Sequence, residues 1–112
     1  MKLYRPAWKA ELDLIKQSDF TEFPPRLPEQ PIFYPVLNVE YAREIASKWN
    51  THNDDGYVLA FEIDDNYVGN FIVQTVGSHV HQEYWIPSDE LENFNRHIVG
   101  KIEVLEQYKQ NH

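Results

Sequence analysis

The chain predicts an α+β fold: a small, mainly antiparallel sheet with about three helices, built as one domain over residues 1–112. Three observations carry this. Apolar residues recur at helical spacing in three separate stretches. Tyr57, Leu59, Phe61 and Ile63 alternate along a strand of period two. Turn chemistry follows directly at Asp64-Asp65-Asn66 and again at Gly77-Ser78, so the strands of the second half are neighbours in sequence and pair as hairpins.

Taken in order, Lys2 to Arg5 reads as a short strand stopped by Pro6, which suits the start of a helix better than a ladder. From Ala7 to about Gln17, Trp8, Leu12 and Ile15 fall on one helix face. Five prolines between Phe20 and Pro35 forbid a regular helix and favour a stiff extended segment, with Ile32-Phe33-Tyr34 as a short edge strand. Asn38 caps a helix from about Val39 to Trp49, with Tyr41, Ile45 and Trp49 as its stripe and Ala42 and Ala46 beside them. Tyr57–Ile63 is a strand, Tyr67–Val76 its hairpin partner, and His81–Ile86 a third strand ended by Pro87. Ser88 caps a helix carrying Leu91, Phe94 and Ile98, Gly100 closes it, and a last strand runs from Ile102 to about Leu105.

Composition narrows the function classes. Sixteen aromatic side chains, three of them Trp, supply enough apolar area to offset chain entropy and exclude disorder. The net charge of −8 is unevenly placed: residues 1–50 are neutral, whereas 51–112 carry eleven acidic and three basic side chains. A general nucleic-acid or anionic-membrane surface needs clustered Lys and Arg and is excluded, leaving room for one small-anion site in the first half. The absence of cysteine removes disulfides, thiolate metal sites and cysteine nucleophiles together. Met1–Pro6 has no apolar signal region and no stretch approaches a membrane span, so a cytoplasmic location is expected.

Few residues carry chemistry on their own. Only four glycines occur and none cluster, which disfavours phosphate loops, and no serine has a nucleophile-elbow context. Arg5 ends an apolar strand, where open sheets place ligands; its plainer reading is a surface arginine. Tyr34 sits on a Pro-restricted backbone, and the plainer reading there is a core or rim aromatic. His79, His81 and Glu83 are spaced to share one strand face, so two imidazoles and a carboxylate could hold a divalent metal, although such a pattern is also an ordinary solvated face. Glu83, beside Tyr84-Trp85-Ile86, is a carboxylate at risk of desolvation and a candidate catalytic group.

Longer motifs add a resemblance. Lys2-Leu3-Tyr4-Arg5 resembles the first strand of the arginine-type, cholera-toxin-like ADP-ribosyltransferases, in which a Tyr-Arg pair opens the NAD site. Phe23-Pro24-Pro25-Arg26-Leu27-Pro28, Pro31-Ile32-Phe33-Tyr34-Pro35-Val36-Leu37 and His81-Gln82-Glu83-Tyr84-Trp85-Ile86-Pro87, with Phe94-Asn95-Arg96-His97-Ile98, resemble short bacterial proteins labelled "ADP-ribosylation/crystallin J1". The chain is too short and too β-rich for the large helical glycohydrolases of that label, so the transferase half is the relevant one. The resemblance implies an ADP-ribosyltransferase-like fold that takes NAD as substrate and transfers ADP-ribose to an acceptor.

It further implies roles. Arg5 would hold the NAD phosphate or ribose, with Tyr4 beside it and Arg26 also meeting the diphosphate; Tyr34 would stack on nicotinamide; Glu83 would hydrogen-bond the nicotinamide ribose. The sequence departs from the arginine-type pattern twice: Ile32-Phe33-Tyr34-Pro35 replaces a Ser-Thr-Ser-like strand, and His81 stands where a second Glu or Gln is expected. Two other expectations stand beside this one: a non-enzymatic acidic module that binds a basic partner through residues 51–112, of partner-binding or immunity type, and a divalent-metal protein using His79, His81 and Glu83.

Overall fold

In the computed structural model, residues 1–48, 51, 54–77 and 81–110 are described. Among them the elements run β1 (Lys2–Trp8), α1 (Lys9–Gln17), β2 (Ile32–Phe33), α2 (Val39–Lys48), β3 (Gly56–Ile63), α3 (Asp65–Val68), β4 (Gln74–Thr75), β5 (Gln82–Glu83), β6 (Ile86–Pro87), α4 (Leu91–Arg96) and β7 (Ile98–Tyr108). The α+β class holds, with small antiparallel sheets and four helices among the described residues, one of them a single turn.

β3 is the central strand, flanked antiparallel by β1 and β7. Its period-two alternation is buried on both faces. Tyr57, Leu59, Phe61 and Ile63 enter the main core with Leu3, Ala7, Leu12, Ile15 and an aromatic cluster, while Val58 packs beneath α2 with Val36, Ala42 and Ala46. Phe23, Phe33, Phe61 and Phe94 make the centre of the main core, with ring centroids 4.7–5.9 Å apart in tilted and edge-on contacts. Small residues at positions 42 and 46 let α2 lie close to the sheet. Asn38 caps that helix as expected, its Oδ1 accepting from the Tyr41 N–H at 2.8 Å. The expected stripe is rotated: Ala42 and Ala46 are the buried positions, Tyr41 and Ile45 lie partly open beside them, and Trp49 falls outside the described residues.

Several expectations are corrected. β1 runs through Pro6 to Trp8, and Trp8 is the residue preceding α1 instead of part of its inner face; it is 45% exposed. Pro6 is tolerated for a geometric reason. The Tyr4 N–H points away from β3, to the Val36 carbonyl at 2.9 Å, so the donor missing two residues later would have faced the same open side. Tyr67–Val76 is not a hairpin partner of β3. Asp64 caps the one-turn α3 by accepting from the Tyr67 N–H, and only Gln74–Thr75 is extended, paired with β5. The strand expected over His81–Ile86 is two separate pieces, β5 and β6, the latter pairing with β2. Ser88 does not cap α4, which begins after Glu90 without a side-chain cap. Gly100 lies inside β7 at a φ of 78°, where the register against β3 slips between Ala60 and Glu62. It serves a bulge, not a helix end.

The Pro-rich segment is tied down despite having little regular structure. Asn95 on α4 both accepts from the Phe23 N–H at 2.9 Å and donates to the Phe23 carbonyl at 3.0 Å. Val36 does the rest: its N–H and C=O both bond Tyr4, while its neighbours Pro35 and Leu37 bond Tyr84 and Gln82. One residue thus joins β1 to β5.

Candidate functional site

Proline determines where this junction ends. Val36 turns its N–H and C=O to Tyr4, and Pro6, the next residue of β1 to face that side, has no N–H to extend the pairing, so it stops there and a gap opens beyond the bridge. The gap is a cleft of about 410 Å³, within the usual size range of small-molecule sites. Arg5, Trp8, Tyr34, Glu83 and Trp85 line it, with Pro6, Val36, Ile45 and Val76 filling the remainder. Three of the five expected site residues, Arg5, Tyr34 and Glu83, therefore meet in one cavity.

Glu83 is the polar anchor. It is 8% exposed, a low value for a carboxylate, and both of its oxygens are held. The Tyr41 hydroxyl donates to Oε2 at 3.1 Å, and the Trp85 indole Nε1–H donates to Oε1 at 2.9 Å. A carboxylate has about four acceptor positions, so two such donors orient it while leaving lone pairs for a ligand hydroxyl. Burial first, then the Glu83 charge, pushes the Tyr41 phenol up to about 12, so it remains a neutral donor at physiological pH. His81 stacks on the Tyr41 ring at 4.6 Å between centroids and sets Nε2 3.1 Å from Glu44 Oε2. The row Glu44, His81, Tyr41, Glu83 positions the carboxylate from behind.

The aromatic rim is open. Tyr34 and Trp85 are each nearly half exposed and meet edge to face, with centroids 6.5 Å apart. Together with Trp8 they offer flat apolar surfaces at the mouth, the kind that receives a planar ring.

Arg5 is the opposite of a free surface arginine. Its side chain is 12% exposed; Nε and Nη2 donate to the two oxygens of Glu11 at 2.9 and 2.8 Å, a bidentate fork. Nη1 lies 3.5 Å from the Tyr34 carbonyl, and the guanidinium sits 5.0 Å from the Phe33 ring centroid. Burial works against its charge, but the Glu11 carboxylate outweighs that and raises its pKa. Burial likewise opposes the Glu11 charge, and Arg5 with Arg26 overcomes it, holding Glu11 below the ordinary carboxylate range.

Two expected residues lie elsewhere. Tyr4 packs against the Val36, Ala42, Ala46 and Val58 cluster and is not among the residues that line the cleft. Arg26 lines a different cavity, beyond Arg5. The suggested metal set cannot be assembled from what is described: His79 lies outside the described residues, and no group of three His, Asp or Glu side chains suited to a metal occurs among the described ones. Trp8, Glu11 and Tyr41 were not singled out as site residues by sequence. The only local signal for Glu11 was the need of a buried arginine for a carboxylate, and burial of Arg5 was not foreseeable from a strand end.

No family model, no curated protein and no solved structure matches this chain. Among the described residues no helix is long and apolar enough to cross a membrane.

Proposed function

We propose that the chain is an ADP-ribosyltransferase-like domain of the short "ADP-ribosylation/crystallin J1" type, which binds NAD in the cleft and transfers ADP-ribose to a protein acceptor in the cytoplasm. The observation that supports this reading most is the meeting of Arg5, Tyr34 and Glu83 around one cavity at a break in the sheet.

In this reading the nicotinamide ring lies against Tyr34 and Trp85, and the Glu83 carboxylate accepts from the hydroxyls of the attached ribose. The bond between ribose C1′ and the nicotinamide nitrogen breaks, the nitrogen keeps the electron pair, and nicotinamide leaves neutral. The positive charge that develops on the ribose is offset by Glu83, already desolvated and fixed by Tyr41 and Trp85, so little reorganisation accompanies the step. The acceptor nucleophile then bonds to C1′ and releases its proton to solvent. Arg5, its Nε and Nη2 taken by Glu11, has Nη1 left to donate toward the phosphate side. The acidic excess of 51–112 favours an acceptor with a basic surface.

The test is nicotinamide release from NAD by wild-type protein and by Glu83→Gln. The substitution keeps the shape and one acceptor oxygen but removes the charge, so release falls by about 100-fold or more while the thermal transition stays in place. Equal release by both proteins would remove Glu83 from the chemistry, and no release or NAD binding by the wild type would remove the transferase reading altogether.

A further inference from the structure

The cleft is not the only cavity that Arg5 borders. On its far side lies a second one of about 290 Å³, bounded by Trp8, Glu11, Leu14, Pro24, Pro25 and Arg26. Arg5 and Trp8 belong to both and form the wall between them.

Charge in this second cavity does not balance. Two guanidinium groups share a single carboxylate. Arg5 takes both Glu11 oxygens in its fork, and Arg26 is left with an Nη1 contact of 3.7 Å to Oε1, too long for a hydrogen bond. Glu11 is the only carboxylate in ion-pair range of Arg26 among the described residues. The Arg26 side chain is nonetheless only 9% exposed, and its Nε is buried with no hydrogen-bond partner. Burial and the neighbouring Arg5 charge both act to lower its pKa, with only partial relief from Glu11. A buried donor without an acceptor and a surplus buried charge are both costly, and natural structures retain them chiefly where something else completes them.

The walls indicate what completes it. Pro24 and Pro25 are conformationally fixed, Leu14 and Leu27 are apolar, and the segment is pinned by Asn95, so the cavity is preformed. We propose that this second cavity is an anion site, separate from Glu83, which binds a phosphate group carried on a small apolar body, with the Arg26 guanidinium as its principal ligand. The Arg26 guanidinium, a planar fork of the kind that suits phosphate oxygens, lines this cavity, and the added negative charge neutralises the pair of arginines. The site stands on this geometry alone and does not require NAD chemistry in the neighbouring cleft. The phosphate could belong to a dinucleotide reaching past the Arg5 wall or to an independent phosphate ester, and competition separates these sources.

The experiment follows the Arg26 Nε–H signal by heteronuclear NMR while phenyl phosphate is titrated into the full chain. A saturable shift is expected in wild type and in Glu83→Gln. In Arg26→Gln, where that reporter is lost, backbone amides around Pro24–Leu27 report binding at least tenfold weaker, and Arg26→Lys falls between. Because Arg26→Gln removes only the surplus charge and leaves the Arg5–Glu11 fork, its melting temperature stays at or above that of wild type. Should it fail to fold, Arg26→Lys with the wild-type signal still decides the matter. Repeating the titration with NAD present assigns the source: competition identifies a dinucleotide phosphate, and independence identifies a separate ester, each supporting the site. An Arg26 signal unmoved by phenyl phosphate, an equal response to phenol, or unchanged affinity in Arg26→Gln would overturn it.

Discussion

Replacing Glu11 by Gln tests whether the buried ion pair organises both cavities. The amide is nearly isosteric, so volume is preserved and the change is electrostatic. Two charge-assisted bonds of 2.8 and 2.9 Å from Arg5 and the longer contact from Arg26 all converge on this carboxylate, which is 14% exposed. Gln keeps one acceptor but turns an N–H₂ donor toward a guanidinium, leaving two buried cations with no counter-charge. Breaking a buried pair from one side costs about 3–5 kcal/mol, and the retained acceptor places Gln near the lower figure. For a domain of this size about 3 kcal/mol lowers the melting temperature by about 12 °C. Circular dichroism melts at neutral pH read this directly.

Acid pH supplies the second half of that test. The folded-state pKa of Glu11 is depressed, so the unfolded chain binds the proton more readily and the pair's contribution is complete above the ordinary Glu value of 4.5. It is lost as pH falls from there through the depressed folded value. The wild-type advantage over Glu11→Gln therefore shrinks below pH 4.5 and is constant above it. A melting difference under about 3 °C at neutral pH, or one indifferent to acid, would refute the buried-pair account.

Other expectations are narrower. Tyr41→Phe removes one of the two donors to Glu83 and costs about 1 kcal/mol. It also removes a phenol titrating near 12, visible as one lost phenolate in alkaline absorbance; since that group is raised from 10.0 on folding, wild type loses stability relative to the variant as pH climbs between the two values. Gly100→Ala meets nothing within 4 Å, so its cost is the backbone strain at φ +78° alone, about 1–2 kcal/mol in a denaturant melt. Phe33→Ala opens the aromatic centre and the surface beneath both arginines, lowering stability by about 3–5 kcal/mol in the same assay.

Local pattern made some elements legible and long-range pairing hid others. The Asn38 cap and the alanines of α2 lie in adjacent turns, and the alternation of β3 is a property of eight consecutive residues, so both could be read directly. The partners of β3 could not. Asp64-Asp65-Asn66 looked like a hairpin turn because the same Asp that closes a turn also caps a helix, and nothing local says that β3 pairs instead with the two ends of the chain. Gly100 misled for a related reason, since a positive φ serves a bulge as well as a helix end.

The site divides along the same line. The grouping of Arg5, Tyr34 and Glu83 is expected from motif resemblance, whereas the cavity they share forms where three segments distant in sequence meet at Val36. Glu11 and Tyr41 escaped because their importance comes from contacts across 6 and 42 residues. Trp8 was assigned to a helix face by periodicity, yet the strand continues through Pro6 and delivers it to the wall between the two cavities.

The central claim is that the cleft receives NAD with its ribose on Glu83. The indole N–H of Trp85, a residue that lines the cavity, donates to that carboxylate, which makes its NMR signal the most direct reporter. Titration with NAD is predicted to shift this signal saturably, together with the amides of Tyr34 and Arg5, and the shift to be lost in Glu83→Gln. A Trp85 signal that does not move, or one that moves identically in Glu83→Gln, would contradict the account.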